Sequence, residues 1–571
     1  MAKEVFMPKA GMDMQEGRII RWLAEEGDSV RAGQPILEIE TDKVTMEVEA
    51  PRSGILLRKY FGAGAVVPVV TIIGYIGEEG EQVPDRPSMA GGMARAQEAE
   101  KLRADDRRKA EKGYDYRVAV IGGGAAGIRA ALKSARMGRK TILFEKKEYG
   151  GTCTNSGSLP MKIYLHTAKL LDELGALPER GVVSVPSAQI DMEKVLSHKD
   201  SVIGRMRARD EALLGEAGVD IIREEAEMIG RHHIRAGRRT FKVENTILCC
   251  GSVPAELDVP GADQPEIMSS DDMFSIASVP AHLLIIGGGV IGCEMAAAWS
   301  RFGSEVTIVE MQPQLLATFD AEISAAVQHS FEERGIRVLT GGKVDHFERK
   351  DGKPVLCLSD GTEIGADAVL VSVGRKPELS ALGVLRDRID FERGKVMVDE
   401  FCRTSAEDVF ACGDMTNRSI LAHSAMKMGE SAASTACGVP KEVHLNRAPL
   451  NLYTVPEAAG IGLTESQARR RGEVMIGRCP LSLNTRAVAC GQTEGFVKVI
   501  ADRAYGEILG VHIVGGMATE MIVEAKTMMD MEITVYEVCD IMHAHPTWSE
   551  AFMEACADAI GESMSTGPKR G

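Results

Sequence analysis

Two glycine-rich runs carry the first recognisable chemistry. Val118-Ala119-Val120-Ile121-Gly122-Gly123-Gly124-Ala125-Ala126-Gly127 and Leu283-Leu284-Ile285-Ile286-Gly287-Gly288-Gly289-Val290-Ile291-Gly292 each open on four apolar residues and lead into a helix-forming stretch. That order predicts a buried strand, a tight turn and a helix N-terminus. Gly122, Gly124 and Gly127, like Gly287, Gly289 and Gly292, let backbone N–H groups approach a pyrophosphate, and the helix dipole favours its negative charge. Each unit continues to a second strand that ends in an acid: Thr141-Ile142-Leu143-Phe144-Glu145 and Val306-Thr307-Ile308-Val309-Glu310. A carboxylate there accepts hydrogen bonds from ribose hydroxyls and repels a 2′-phosphate, so Glu310 favours NAD over NADP. One such glycine pattern is weak evidence; two with the acid at the same offset predict two dinucleotide sites and electron exchange between them.

The elements that position these turns are βαβ units opening at Arg117 and His282, an internal structural repeat. At 571 residues the chain exceeds one hydrophobic core, and about three to five domains are expected. The first eighty residues differ in character. Short β-like runs alternate with Gly17, Gly27, Gly33, Gly54 and Gly62, and the stretch from Ile36 to Glu49 alternates apolar and polar residues on both sides of Asp42-Lys43. This predicts a small all-β sandwich with a hairpin that exposes Lys43 at its tip. Residues 79–114 read as a flexible link followed by a solvated helix over Arg95 to Lys112.

Composition narrows the function classes. A formal charge of −16 disfavours nucleic acid and anionic membrane surfaces as partners. No apolar run of about 18 residues is present to predict a spanning helix, and no secretory signal is recognisable, so a cytoplasmic location is expected. Twelve cysteines occur without a repeated C-x-x-C, so no metal site is expected. Cys249, Cys250, Cys293, Cys412 and Cys437 are expected to be small buried hydrophobes.

Between the nucleotide units lies Gly150-Gly151-Thr152-Cys153-Thr154-Asn155-Ser156-Gly157-Ser158-Leu159-Pro160-Met161-Lys162. It resembles the redox-active segment of the pyridine nucleotide–disulfide oxidoreductases, a flavoprotein family, and the likeness extends over essentially all of residues 115 to 560. Val371-Ser372-Val373-Gly374-Arg375-Lys376-Pro377 resembles the family's segment closing the nicotinamide domain. Val409-Phe410-Ala411-Cys412-Gly413-Asp414 resembles its second FAD motif, and Ile247-Leu248-Cys249-Cys250-Gly251-Ser252 stands where a connecting motif belongs. His543-Ala544-His545-Pro546-Thr547-Trp548-Ser549-Glu550 resembles the catalytic segment near the C-terminus.

The resemblance implies FAD at Gly122, Gly124, Gly127, Glu145, Gly151, Thr152, Gly251 and Asp414, and NAD at Gly287, Gly289, Gly292, Glu310 and Gly374. It implies His545 as a base oriented by Glu550, Lys162 and Glu294 as a pair beside the flavin, and a homodimer in which the dyad reaches the partner's thiols. His543 is left as structural. Glu40-Thr41-Asp42-Lys43-Val44-Thr45, with Met7-Pro8-Lys9 and Glu16-Gly17 upstream, resembles a lipoylation site, so Lys43 is the expected attachment point for a lipoyl group. Biotinyl domains share this fold, but their lysine usually sits between methionines, which are absent here. A tethered lipoyl domain selects the dihydrolipoyl dehydrogenase branch, with NAD⁺ as acceptor and lipoyl domains of a 2-oxoacid, acetoin or glycine-cleavage complex as partners.

The implied layout is multidomain: residues 1–78 a lipoyl sandwich, 79–114 a linker, 115–265 and 387–445 the two parts of an FAD domain, 266–386 an NAD domain and 446–571 an α+β dimerisation domain. The family places two cysteines with four residues between them, and here Cys153 is followed by Ser158. A hydroxyl forms no disulfide and supplies no thiolate, and residues five apart in an ideal helix already rise about 7.5 Å, so the pair requires a special turn. Three explanations stay open: a dihydrolipoyl dehydrogenase impaired in its thiol step, a one-thiol NADH oxidase or peroxidase using Cys153, and a non-catalytic lipoyl carrier or assembly component.

Overall fold

The computed structural model describes residues 2–8, 16–40, 45–69, 71–78, 80, 81, 83, 113–181 and 188–566. The segment 136–139 aside, the chain divides between Lys112 and Gly113 into two compact units.

The N-terminal unit is all β. Eight strands, β1 (Lys3–Phe6), β2 (Glu16–Trp22), β3 (Ser29–Val30), β4 (Pro35–Glu40), β5 (Thr45–Glu49), β6 (Gly54–Lys59), β7 (Val66–Pro68) and β8 (Ile72–Gly77), form two four-stranded sheets in the orders β1-β8-β6-β3 and β5-β4-β2-β7. Period-two alternation explains the pairing: Ile19, Leu37 and Ile39 are fully buried, while Arg18 and Glu40 between and beside them stay outside. β4 and β5 pair antiparallel up to Glu40 opposite Thr45. The intervening residues 41–44, Lys43 among them, lie outside the described residues, as does the expected helix over Arg95 to Lys112.

The larger unit opens with β9 (Tyr116–Ile121), α1 (Ala125–Arg136) and β10 (Thr141–Phe144), the expected βαβ order. Helices α2 (Gly151–Asn155), α3 (Ser158–Ala176) and α4 (Met192–Glu216) follow, then β11 (Asp220–Ile222), β12 (Ala226–Gly230), β13 (His233–Ala236) and β14 (Arg239–Leu248). Strands β11-β10-β9-β14 are parallel, and β12-β13 extend the sheet antiparallel. Fully buried Val118, Ala119 and Val120 account for the unbroken apolar run of β9, since a parallel strand is covered on both faces.

β15 (Ser252–Pro254) leads out of this layer, and β16 (Ile267–Ser269), β17 (His282–Ile286), α5 (Val290–Phe302), β18 (Glu305–Glu310), α6 (Ala321–Glu333) and β19 (Arg337–Thr340) repeat the scheme. A three-stranded antiparallel meander, β20 (Val344–Lys350), β21 (Lys353–Leu358) and β22 (Glu363–Gly365), precedes β23 (Ala368–Val371) and β24 (Arg375–Pro377). The second parallel sheet has the order β16-β23-β17-β18-β19, and β24 returns to pair with β15. Residues 380–386 fall in the expected NAD domain by sequence, but Ala381, Leu382 and Leu385 pack with Ala119, Ile142 and Met228 in the core of the first sheet. The chain has already crossed back at β24, before the sequence shows a change of pattern.

β25 (Phe391–Glu392), β26 (Lys395–Val396), β27 (Val409–Ala411) and α7 (Ala422–Ala436) complete the first layer, where β27 pairs parallel with β14. The C-terminal part is a five-stranded antiparallel sheet, β28 (Leu450–Leu452), β29 (Ala458–Gly462), β30 (Val474–Pro480), β31 (Phe496–Asp502) and β32 (Ile508–Val514), in the order β28-β29-β32-β31-β30. Helices α8 (Ala518–Asp530) and α9 (Glu550–Ile560) pack on it around a core that includes Phe552, Val497 and Ile522. No helix among the described residues is long and apolar enough to cross a membrane.

Candidate active site

The two glycine turns are built alike. Gly122 has φ +105°, and a Cβ there would stand 2.3 Å from the Cys249 carbonyl oxygen; one on Gly127 would stand 1.8 Å from that of Gly122. In the second turn, Gly287 has φ +106°, and a Cβ on Gly292 would stand 2.0 Å from the Gly287 oxygen. These glycines let each helix press against its own turn, whereas a Cβ on Gly289 meets nothing within 4 Å. The acids are fastened identically. Glu145 accepts the Gly123 N–H at 2.6 Å and the Lys147 N–H at 2.7 Å; Glu310 accepts those of Gly288 at 2.6 Å and Gln312 at 2.7 Å. A carboxylate offers about four lone-pair directions, so each acid is held in place with capacity left for a ribose hydroxyl.

The first turn is tied to the thiol segment. Gly150 donates its N–H to the Gly123 carbonyl at 2.8 Å, and a Cβ on Gly151 would lie 2.7 Å from the Gly124 Cα. α2 carries Thr152 and Cys153, and Cys153 is half-buried with a free thiol. Asn155 closes the helix: its amide donates to the carbonyls of Tyr149 at 3.0 Å and Gly151 at 2.9 Å and, more weakly, to that of Glu148. Its oxygen accepts from Arg207 Nε at 2.7 Å. The chain then breaks at Ser156 and Gly157, where a Cβ on Gly157 would meet the Thr152 oxygen at 2.8 Å, and α3 begins at Ser158, which is exposed. A turn, not a continuous helix, therefore separates Cys153 from Ser158.

Asp414 sits in a second buried corner. Ser252 Oγ donates to its carboxylate at 2.6 Å, and Arg375 donates to Ser252 Oγ at 2.8 Å, to the Ser252 carbonyl at 2.9 Å and to Thr152 Oγ1 at 3.3 Å. Burial raises the Asp414 pKa despite these partners. Gly251 and Gly374 flank the corner with φ of +71° and +121°, and a Cβ on either meets nothing within 4 Å. Arg375 thus links the end of the second nucleotide unit to Thr152, next to Cys153.

Lys162 on α3 and Glu294 on α5, 132 residues apart, meet. The ammonium lies 2.9 Å from both carboxylate oxygens, and Glu294 is almost fully buried. Tyr453, which no sequence motif singled out, completes the group: its N–H donates to Glu294 at 3.1 Å, and its ring lies 4.3 Å from the ammonium. It stands in Asn451-Leu452-Tyr453-Thr454, a stretch with no recognisable pattern, so only the fold could reveal it.

His545 and Glu550 also meet, with Nδ1 2.8 Å from Oε1. The Thr547 N–H donates to the other carboxylate oxygen at 2.7 Å. Burial would raise the Glu550 pKa, but the Thr547 and His545 hydrogen bonds outweigh it and hold the carboxyl below its ordinary value. Nδ1 is engaged and the imidazole is 65% exposed, so Nε2 is presented outward. His543 differs: its side chain is 5% exposed and held between Glu524 at 2.8 Å and the Ile541 carbonyl at 2.9 Å.

Residues 116–429 match the pyridine nucleotide-disulphide oxidoreductase model, and residues 448–556 match that family's dimerisation domain. The chain belongs to the pyridine nucleotide-disulphide oxidoreductase family. Residues 3–76 match the biotin-requiring enzyme model, which covers biotin- and lipoyl-type domains. Curated relatives include dihydrolipoyl dehydrogenase 2 of Haloarcula marismortui, 36% identical over 78% of this chain and 97% of its own. The dihydrolipoyl dehydrogenase of Bacillus subtilis is 34% identical over 78% and 98%, respectively. Among solved structures, LpdA of Mycobacterium tuberculosis superposes with a TM-score of 0.72 at 26% identity, covering 77% of this chain and 98% of that one. The HOCl-induced flavoprotein disulfide reductase RclA of Escherichia coli gives 0.70 at 25% identity over 77% and 99%.

FAD and NAD(H), the family's cofactors, fit what the two turns offer: glycines that a Cβ would block, open backbone at Gly251, Gly289 and Gly374, and acids with free acceptor capacity. The lipoyl-type domain implies a lipoyl group on a lysine. The dimerisation domain makes a second copy of the chain its partner.

Proposed function

We propose that this chain is a dihydrolipoyl dehydrogenase-type enzyme whose nicotinamide half-reaction is intact and whose thiol half-reaction is interrupted at Ser158. One observation carries this: Cys153 on α2 is the only cysteine in the stretch from Gly150 to Lys162, while Lys162 meets Glu294 and His545 meets Glu550 at hydrogen-bond distance. FAD, when bound, supplies a two-electron carrier between nicotinamide and sulfur. Gly287, Gly289, Gly292 and Glu310 would hold the nicotinamide dinucleotide by its pyrophosphate and ribose, and Lys162, oriented by Glu294, would supply a positive charge to the bound flavin.

With cysteines at both positions, dihydrolipoamide gives its two thiol hydrogens and two electrons to the disulfide through Cys153. His545 Nε2 takes the proton, and Glu550 stabilises the imidazolium. With Ser158 there is no disulfide to reduce. Cys153 can still exchange with a lipoyl disulfide, but it has no neighbouring sulfur to resolve the mixed disulfide. The partners of such a site are lipoyl domains of a 2-oxoacid, acetoin or glycine-cleavage complex, the one bearing Lys43 included, in the cytoplasm.

The test is Ser158→Cys beside the unaltered protein. NADH should bleach the flavin band in both, with electrons passing to an artificial acceptor. Dihydrolipoamide-dependent NAD⁺ reduction should be near background with Ser158 and rise about 100-fold or more with cysteine, a barrier change of roughly 2.7 kcal/mol. Equal lipoamide turnover in the two proteins would overturn the proposal. Stoichiometric peroxide reduction with a sulfenate on Cys153 would establish the one-thiol enzyme instead, and failure to bind FAD the lipoyl carrier.

A further inference from the structure

The antiparallel meander β20-β21-β22 carries donor atoms that neither the flavin nor the thiol chemistry uses. One face packs Phe347, Leu356, Leu358 and Ile364 into the core against Ile286 and Val309. The opposite face brings together His346 and Cys357, which are cross-strand partners, and Glu348, two residues along the same strand. One donor atom from each, imidazole nitrogen, thiol sulfur and carboxylate oxygen, lies within 4.8 Å of the others. Among the described residues this is the one group of three or more histidine, cysteine and acidic side chains gathered so closely.

Two features distinguish it from an ordinary charged strand face. Cys357 is 7% exposed although it stands on the outward side of the sheet, so its neighbours close over the sulfur. His346 Nδ1 lies 2.8 Å from Asp345, which orients the ring with Nε2 toward Glu348, 3.4 Å away; the two carboxylates raise the His346 pKa, and an ion at Nε2 would take the place of its proton. An imidazole backed by a carboxylate on its other nitrogen is the usual arrangement of a metal-bound histidine. Glu363 stands opposite Cys357 on β22, and Lys350 pairs with Glu348 at 3.3 Å and Glu363 at 2.6 Å, so a metal ion must displace this ammonium from Glu348 while Glu363 retains it.

We propose that His346, Glu348 and Cys357 form a transition-metal site that takes Zn²⁺. Mixed nitrogen, sulfur and oxygen donors suit this borderline-soft ion, and three protein ligands leave a fourth, water-filled position. Bonds of about 2.0–2.3 Å require donor separations near 3.5 Å, within reach of rotamer changes in His346 and Glu348, which are partly exposed. Burial and the neighbouring Glu348 and Glu363 raise the Cys357 pKa, and a thiol binds metal only by giving up its proton. The sequence gives no metal-binding spacing because the ligands come from two strands, joined in space by cross-strand register. The ion would lock the meander's outer face without touching the flavin chemistry.

The test uses the chelator-treated holo-flavoprotein in a Cys153→Ala background, so that the active-site thiol captures no metal. Equilibrium dialysis should find one Zn²⁺ per chain, and X-ray absorption should show one sulfur neighbour. Cys357→Ser and His346→Gln should each weaken uptake at least about 100-fold, and Asp345→Asn about 10- to 100-fold. Circular dichroism and flavin content identify folded variants. Uptake unchanged in folded Cys357→Ser and His346→Gln, or no uptake tighter than about 1 mM, would overturn the site.

Discussion

Removing the ammonium of Lys162 should cost more than removing its partner's charge, and removing both should cost less than the sum. Glu294 is 4% exposed and its carboxylate is held by Lys162 Nζ at 2.9 Å on both oxygens and by the Tyr453 N–H at 3.1 Å. Stripping one partner from a fully buried ion pair costs about 3–5 kcal/mol. Lys162 is 31% exposed, so water can partly replace its ammonium, and about 2 kcal/mol is the discounted cost of Lys162→Met. In Glu294→Gln the ammonium keeps its water and the Tyr453 ring at 4.3 Å, and the amide oxygen can still accept from Tyr453; about 1 kcal/mol is expected.

Independent effects would add to about 3 kcal/mol. The double variant leaves no buried charge uncompensated and should lose only about 1 kcal/mol, a coupling near 2 kcal/mol. Urea unfolding at fixed protein concentration, followed by circular dichroism, measures the four stabilities, and stopped-flow bleaching by NADH measures function. Flavin reduction should slow about tenfold or more in both variants lacking Lys162, the restabilised double included, because the positive charge proposed to act on the flavin is gone. A double variant that loses the full 3 kcal/mol would refute the pairing energetics, and one that reduces flavin normally would refute the role of Lys162.

Further outcomes follow from single contacts. Gly127→Ala should abolish FAD retention, since its Cβ would meet the Gly122 oxygen at 1.8 Å, whereas Gly292→Ala should leave flavin bound but stop its reduction by NADH. Isolated-protein flavin spectra with and without NADH separate the two. In the cluster joining α6 to β30 and β31, Arg478 hydrogen bonds, and then Lys498, push the Glu322 carboxyl down to about 2. Its folded pKa is depressed, so the stabilisation is present above about pH 4.5 and is lost as pH falls toward 2; urea midpoints across that window should fall and Lys498→Met should flatten the slope.

The nucleotide half of the site was legible because its constraints are local. A strand, three glycines and an acid at a fixed offset are one stretch of chain, and Glu145 and Glu310 fasten to Gly123 and Gly288 only 22 residues away. The groups that required the fold are those joined across elements. Tyr453 reaches Glu294 from β28 onward with no motif of its own, and Arg375 reaches Thr152 across 223 residues. The return of residues 380–386 to the first core was hidden for a similar reason: Ala381, Leu382 and Leu385 are apolar in any domain, and only their neighbours assign them.

The same distinction bears on Ser158. Asn155 fastens α2 through several carbonyls and Arg207, Gly150 and Gly151 dock it on the nucleotide turn, and Gly157 makes the close approach to Thr152 that starts α3. None of these contacts uses a sulfur–sulfur bond, so the turn keeps its shape with a hydroxyl at Ser158. Retention of that shape separates chemistry from architecture. A segment whose fold depended on the disulfide would have lost its geometry along with the second sulfur, and restoring cysteine would not restore the relay. Here the positions are held by backbone hydrogen bonds and steric limits, so a single Ser158→Cys change should be sufficient.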